Sequence, residues 1–90
     1  MPRVAVQVTI VNRLGLHARP AMTFVDAAAR FSCSVTVKRG EQEVDGKSIM
    51  HMMLLAATQG TTLEVVCDGD DAPAAAEALK KLVADGFDEE

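Results

Sequence analysis

The chain has 90 residues, 49% of them hydrophobic and 24% charged, and a formal net charge of −4. This predicts one globular domain over residues 1–90 with a modest aliphatic core. Nucleic acid is not an expected partner, because the chain is acidic and such binding depends on neutralising phosphates. We expect a cytoplasmic protein without membrane insertion, since the N-terminus lacks a signal peptide's apolar block and no apolar run approaches ~20 residues.

The first two elements are predicted by a change in the period of the apolar residues. From Val4 to Val11 the buried-type side chains alternate with others, which is typical of a strand with one buried face. Residues 12–15 break this pattern, and from Ala18 the period becomes helical. The helical stripe consists of Ala21, Phe24, Val25, Ala28 and Phe31.

Two strands and a turn follow the first helix. Cys33, Val35 and Val37 alternate with polar residues, residues 39–41 predict a hairpin turn, and residues 42–45 a short partner strand. We interpret Cys33 and Cys67 as reduced core thiols, because their spacing is neither CxxC nor that of metal ligands.

The second half repeats helix, strand and helix. An apolar segment over residues 48–57 begins with a capping residue. A fourth strand is predicted with Val65 at its centre, and Pro73 lies in the first turn of the last helix. Residues 86–90 are predicted to be a frayed acidic tail. The stripe of the last helix consists of Ala72, Ala75, Ala76, Leu79, Leu82 and Val83.

The resulting order is β-α-β-β-α-β-α. It predicts an α+β fold, an open-faced β-sandwich in which a four-stranded antiparallel sheet carries three helices on one face. The alternating strands agree with a second sheet face that contacts water.

The middle helix is more apolar than one sheet-facing stripe requires. Within residues 49–57 only His51 is not apolar. The side chains expected to face inward are Met52, Leu55 and Ala56. That leaves Ile49, Met50 and Met53 facing water, and such a patch is typical of a contact surface. The alternative is a wholly buried segment or ordinary surface apolars.

The octet LGLHARPA over residues 14–21 places His17 where a glycine-containing loop meets a helix. The N–H groups of Ala18 and Arg19 lack intrahelical acceptors there, and the helix dipole favours an anion. Arg19 adds a guanidinium that can bind phosphate oxygens. We expect the same field to keep the His17 imidazole neutral and nucleophilic, as a phosphoryl carrier requires. The alternative is a cap or surface histidine.

Two motifs resemble those of the HPr family, the histidine-containing phosphocarriers of the phosphoenolpyruvate-dependent sugar phosphotransferase system. The octet over residues 14–21 resembles the family's active-site signature, and GKSIM over residues 46–50 resembles the motif around its regulatory serine. Residues 58–61, TQGT, resemble the turn into its last strand. The predicted element order agrees with the family's open-faced sandwich.

The resemblance implies that His17 accepts a phosphoryl group on Nδ1 from phosphorylated Enzyme I and donates it to phosphotransferase IIA proteins. Arg19 matches the arginine beside the phosphohistidine, and Ile49, Met50 and Met53 would form the docking surface for both partners. It implies no cofactor, nucleotide or metal site. The protein would be a covalent relay within a phosphotransferase chain rather than a stand-alone enzyme, and a monomer is the simplest expectation.

The resemblance also offers a regulatory site and two biological branches. Ser48 matches the serine that an ATP-dependent HPr kinase/phosphorylase modifies in many relatives, and a phosphate there would hinder transfer through His17. The alternative role of Ser48 is that of an N-cap. The tail over residues 86–90 resembles nitrogen-branch (NPr) relatives, which act in a regulatory relay, whereas Lys47 and Ser48 favour the kinase-regulated branch.

Other functional classes fit less well. A non-enzymatic regulator acting through Ser48 phosphorylation would not need the octet around His17. A ligand-sensing domain would need a glycine-rich or polar pocket motif. Metal binding by His17 and His51 lacks a third ligand with suitable spacing. His51 stands where many HPr relatives carry glycine or another residue, and we interpret it as a solvated helix histidine.

Overall fold

The observed elements follow the predicted order. The computed structural model describes residues 2–88. Its strands are β1 (Arg3–Thr9), β2 (Ser34–Arg39), β3 (Gln42–Asp45) and β4 (Thr62–Asp68). Its helices are α1 (Ala18–Ala28), α2 (Ile49–Leu54) and α3 (Ala72–Ala84), followed by a 3-10 turn over Gly86–Asp88. The predicted α+β order β-α-β-β-α-β-α is therefore confirmed.

The four strands form one antiparallel sheet in the order β1-β4-β2-β3. The inner face is built by pairs such as Val8 with Leu63 and Val37 with Val65. β4 lies between β1 and β2, so its backbone is paired on both sides. On the outer face Gln7 and Thr9 are exposed as predicted, but Val66 is buried, because it lies between two neighbouring strands.

The core is a layer of small and aliphatic side chains between the sheet and the helices. The predicted stripes of α1 and α3 are buried, except that Phe31 and Leu82 are only half-buried. The first strand ends at Thr9 rather than at the predicted Val11. The chain continues to pair beyond it, since Ile10 donates to Thr61 O at 2.9 Å and accepts from Gly60 N at 2.7 Å.

The apolar segment over residues 48–57 forms a shorter helix than predicted. α2 ends at Leu54, and Met52 and Leu55 are buried as expected. Ala56, predicted to face inward, is instead exposed. The reason is a change of chain direction: Ala56 has a left-handed backbone with φ 48°, and this turns Ala57 into the core.

The predicted frayed tail is wrong for residues 86–88, while residues 89 and 90 lie outside the described residues. Gly86 and Phe87 are buried, and the Phe87 side chain is only 4% exposed. Both have positive φ, 67° and 58°, so the chain folds back after α3 and returns an aromatic ring to the core. Burying that ring contributes roughly 1.5–3 kcal/mol relative to leaving it exposed.

The two cysteines are buried free thiols that lie close enough to influence each other's pKa. Burial, and to a lesser extent the neighbouring Cys33, raises the pKa of Cys67 from 9.0 to about 11. Burial and the nearby Asp71 carboxylate also raise the pKa of Cys33. Asp71 accepts hydrogen bonds from Ser32 N and Cys33 N, at 2.8 and 2.9 Å, which lower the pKa of its own carboxyl.

Alkaline unfolding should therefore depend on Cys67. Below pH 9 the thiol is protonated in both states. Between pH 9 and about 11 the unfolded chain loses this proton first, so the free energy of unfolding falls as pH rises. One thiol contributes a slope of at most about 1.4 kcal/mol per pH unit. We expect urea unfolding at pH values from 8 to 11 to show a shallower decline of the unfolding free energy for Cys67→Ala than for the wild type. Equal declines in the two proteins would contradict the raised pKa of Cys67.

Candidate functional site

His17 lies at the start of α1, where the sequence predicts it. It is the N-cap residue, with an extended backbone (φ −84°, ψ −172°), and is partly exposed. Ala21 N donates to His17 O at 3.0 Å, as expected for the first turn of a helix. By helix geometry the N–H groups of Ala18 and Arg19 have no acceptor inside the helix, and Pro20 has no N–H. The structure thus brings the predicted imidazole and backbone donors together.

The loop before His17 rests on the chain segment that follows α2. Leu16 is buried and its N–H donates to Ala57 O at 2.8 Å. Gly15 has φ +71°, and a Cβ added there would lie only 2.6 Å from the same carbonyl oxygen. Glycine is therefore required at this position both for its backbone conformation and for the close approach.

Asn12 closes this loop and was missed in the sequence, where residues 12–15 were interpreted only as a break. Its side chain is 3% exposed, and its Nδ2 donates to Gly15 O at 2.7 Å. In return Gly15 N donates to Asn12 O at 3.1 Å. An asparagine that opens a glycine-containing turn is the available signal, because its amide mimics a backbone group in such turns.

The chain segment that contains His17 is positively charged although the protein is acidic overall. The first 25 residues contain Arg3, Arg13 and Arg19 and no Asp or Glu. Arg13 and Arg19 are exposed on either side of His17 along the chain. With the positive end of the α1 dipole, these side chains favour an anion at the imidazole. Arg19 was predicted from the octet. Arg13 was not, and the available signal for it is the absence of Asp and Glu from this part of the sequence.

Apolar side chains are exposed on the elements that flank His17. Ile49, Met50 and Met53 are 40%, 80% and 41% exposed, so their predicted outward orientation is confirmed. Three further exposed apolar side chains were not predicted: Leu54 on α2, Met22 on α1, which packs against α2, and Leu14 on the His17 loop. We call the whole set the apolar surface: Leu14, Met22, Ile49, Met50, Met53 and Leu54.

Ser48 is the N-cap of α2, as the capping interpretation predicts. Its Oγ accepts a hydrogen bond from His51 N at 3.2 Å, and the residue is half-buried. His51 is exposed as expected, yet it is not simply solvated, because its Nδ1 accepts from Asp45 N at 3.3 Å. Lys47 Nζ donates to Phe31 O at 2.7 Å and so joins this turn to the loop after α1.

Two features are absent from the described residues. Within residues 2–88 no group of three or more His, Cys, Asp or Glu side chains is arranged to hold a metal ion. None of the helices in this same part of the chain is long and apolar enough to cross a membrane.

Comparisons with known proteins agree on one family. A family model described as "PTS HPr component phosphorylation site" matches residues 4–85. The phosphocarrier protein HPr of Pseudomonas aeruginosa is 48% identical over 86 residues, covering 94% of this chain and 96% of that protein.

Solved structures give the same result. An HPr crystal structure from Thermoanaerobacter tengcongensis has a TM-score of 0.89 at 40% identity, covering 100% of this chain and 99% of that one. An HPr dimer from the same organism has a TM-score of 0.78 at 40% identity, covering 93% and 97% of the two chains.

The contact at Gly15 can be tested by Gly15→Ala. The added methyl would meet the Ala57 carbonyl oxygen at 2.6 Å in a left-handed backbone, so we expect a loss of roughly 1–3 kcal/mol in unfolding free energy. Gly40→Ala is the matched control, because Gly40 has φ +58° with nothing within 4 Å of an added Cβ. If urea unfolding shows the same loss of unfolding free energy for Gly15→Ala and Gly40→Ala, the close approach of Gly15 to Ala57 does not affect stability.

Proposed function

The chain belongs to the HPr family of phosphocarrier proteins of the phosphotransferase system, and on that premise we propose that His17 is its phosphoryl carrier. His17 would receive the group from phosphorylated Enzyme I and deliver it to a IIA component. The observation that carries the proposal is the partly exposed imidazole of His17 at the N-cap of α1.

The chemistry is an exchange of one phosphorus–nitrogen bond for another. A lone pair on the His17 imidazole, at Nδ1 in the family, attacks the phosphorus of the phosphohistidine on Enzyme I. The donor's P–N bond breaks and its electron pair returns to the donor imidazole. Attack by a IIA histidine then reverses these roles at His17. Because like bonds are exchanged, the group can move onward without a nucleotide.

The surroundings of His17 favour a phosphoryl group without holding it too tightly. The unpaired N–H groups at Ala18 and Arg19 and the Arg19 guanidinium supply donors for its oxyanions. Arg13 adds positive charge from the preceding loop. An exposed helix dipole contributes only about 0.3–1 kcal/mol, which is compatible with a group that must leave again.

The apolar surface would supply docking for both partners. Its residues lie on α2, α1 and the loop before His17, so a protein bound there would also face the imidazole. Met50, which is 80% exposed, and the partly exposed Met53 have flexible thioether side chains. Such side chains adapt to more than one partner shape, as a carrier between two proteins requires.

Ser48 would be a regulatory site on the same helix. A phosphate on its Oγ adds about −1.5 to −2 charges at the start of α2, beside the exposed Ile49 and Met50. The capping bond from His51 N already orients this Oγ. A partner whose docking face is matched to an uncharged surface would then bind less well, and transfer through His17 would slow.

The downstream acceptor stays a prediction. The curated relative and the solved structures named above are described as HPr, which favours that branch over the nitrogen-branch alternative. The expected monomer also stays a prediction, because one of the similar structures is a dimer.

Phosphorylation at His17 is tested with Enzyme I, phosphoenolpyruvate and intact-mass measurement. We expect the gain of one acid-labile phosphate in the wild-type chain and none in His17→Ala. His51→Ala is the control, because it removes the other histidine and should still be phosphorylated. Failure of the wild type, with an Enzyme I that phosphorylates the Pseudomonas aeruginosa HPr, would reject the proposal.

The regulatory role of Ser48 is tested by a charge added without loss of the cap. Ser48→Asp and Ser48→Asn both retain a capping oxygen, but only the aspartate is charged. We expect Ser48→Asp to lower kcat/KM for phosphoryl transfer from Enzyme I roughly 3- to 10-fold, and Ser48→Asn to leave it nearly unchanged. The same decrease in both variants would indicate that capping, not charge, matters.

A further inference from the structure

The end of α2 is held by side chains from the β2–β3 hairpin. The last carbonyls of a helix have no donors within it. Here Arg39 Nη1 donates to Leu55 O at 2.7 Å and to Ala56 O at 3.2 Å. Gln42 Nε2 donates to Leu54 O at 3.1 Å. Arg39 and Gln42 are paired residues in the hairpin register, so both donors reach the same helix end.

These bonds hold a backbone conformation that Ala56 would otherwise avoid. Its φ of 48° is left-handed, a conformation that is sterically unfavourable for an L-residue other than glycine. Such a conformation persists only where its surroundings hold it. The guanidinium of Arg39 binds the carbonyls of Leu55 and Ala56, on the two peptide groups next to the strained residue, and a charged donor makes the stronger kind of hydrogen bond.

The same segment supports the His17 loop. After Ala56 the chain turns so that Ala57 is buried and its carbonyl accepts the N–H of Leu16 at 2.8 Å. Leu16 directly precedes His17. The position of the Ala57 carbonyl therefore links the end of α2 to the start of α1.

We propose that Arg39 is a positioning residue for phosphoryl transfer. By holding the carbonyls of residues 55 and 56 it fixes the Ala57 carbonyl, and through Leu16 it fixes the approach of the chain to His17. It also orients the end of α2, where Met53 and Leu54 of the apolar surface lie. The consequence for transfer rests on the proposed function; the structural coupling from Arg39 to Leu16 does not.

Lys38 provides a matched control on the same hairpin. It is the preceding residue and has the same charge, but its Nζ lies 3.7 Å from the Glu43 carboxylate rather than at α2. Lys38→Met and Arg39→Met therefore remove the same charge from the same strand. Only the second variant removes donors from the end of α2.

The structural coupling is tested by native-state hydrogen exchange followed by NMR. In Arg39→Met we expect the amide of Leu16 to exchange about 10-fold faster, because its acceptor is less firmly held. The amide of Val65, in the central strand, reports global stability and should change less. In Lys38→Met, Leu16 should exchange as in the wild type. Equal acceleration of Leu16 and Val65 in Arg39→Met would reduce Arg39 to a general stabilising residue and overturn the proposal.

Transfer kinetics test the functional consequence. With Enzyme I as donor, we expect Arg39→Met to lower kcat/KM by about 5- to 10-fold and Lys38→Met by less than 2-fold. Arg39→Lys, which keeps the charge but offers a differently shaped donor, should fall between wild type and Arg39→Met. Full activity of Arg39→Lys with accelerated Leu16 exchange would mean that charge alone matters, and would overturn the positioning role.

The two proposals fail in different ways. If Enzyme I does not phosphorylate the wild-type chain, the proposed function is wrong, while the exchange of Leu16 still reports on Arg39. If the wild type is phosphorylated and Leu16 exchange does not respond to Arg39→Met, only the positioning role is wrong.

Discussion

The hydrogen bond from Leu16 N to Ala57 O is the contact on which the site depends. It joins the loop that ends at His17 to the segment that follows α2, two regions 41 residues apart in the chain. Gly15 allows the close approach, because any Cβ would collide with the same carbonyl. The proposed phosphoryl transfer requires support of this kind, since small displacements of a nucleophile reduce its rate strongly.

The site combines local positive charge with an overall acidic chain. In the proposed function, Arg13, Arg19 and the start of α1 attract a phosphoryl group to His17, while the net charge of the protein is −4. The adjoining apolar surface suits docking without strong charge pairing. Together these features fit a carrier that must bind two partners and then release each of them, because neither contribution is large by itself.

The regular elements and the position of His17 at the start of α1 were predictable because they depend on short-range patterns. Alternation predicted the strands, the 3.6-residue period predicted the stripes of α1 and α3, and the octet predicted that His17 begins α1. The wrong predictions for Ala56 and for the tail have a common cause. Ala56 and Phe87 adopt left-handed backbones that change the direction of the chain. Neither is a glycine, so composition offered no sign that Ala56 would be exposed or that the tail would return to the core.

The sequence by itself determined the order of elements, the faces they bury and the family to which the chain belongs, since these follow from periodicity and local motifs. Tertiary structure decided which distant groups support them. Leu16 binding the Ala57 carbonyl, Arg39 binding the end of α2, and the close approach of Cys33 to Cys67 all require elements to meet in space. Hydrogen bonds between residues far apart in sequence leave no periodic trace, so only the folded chain reveals them.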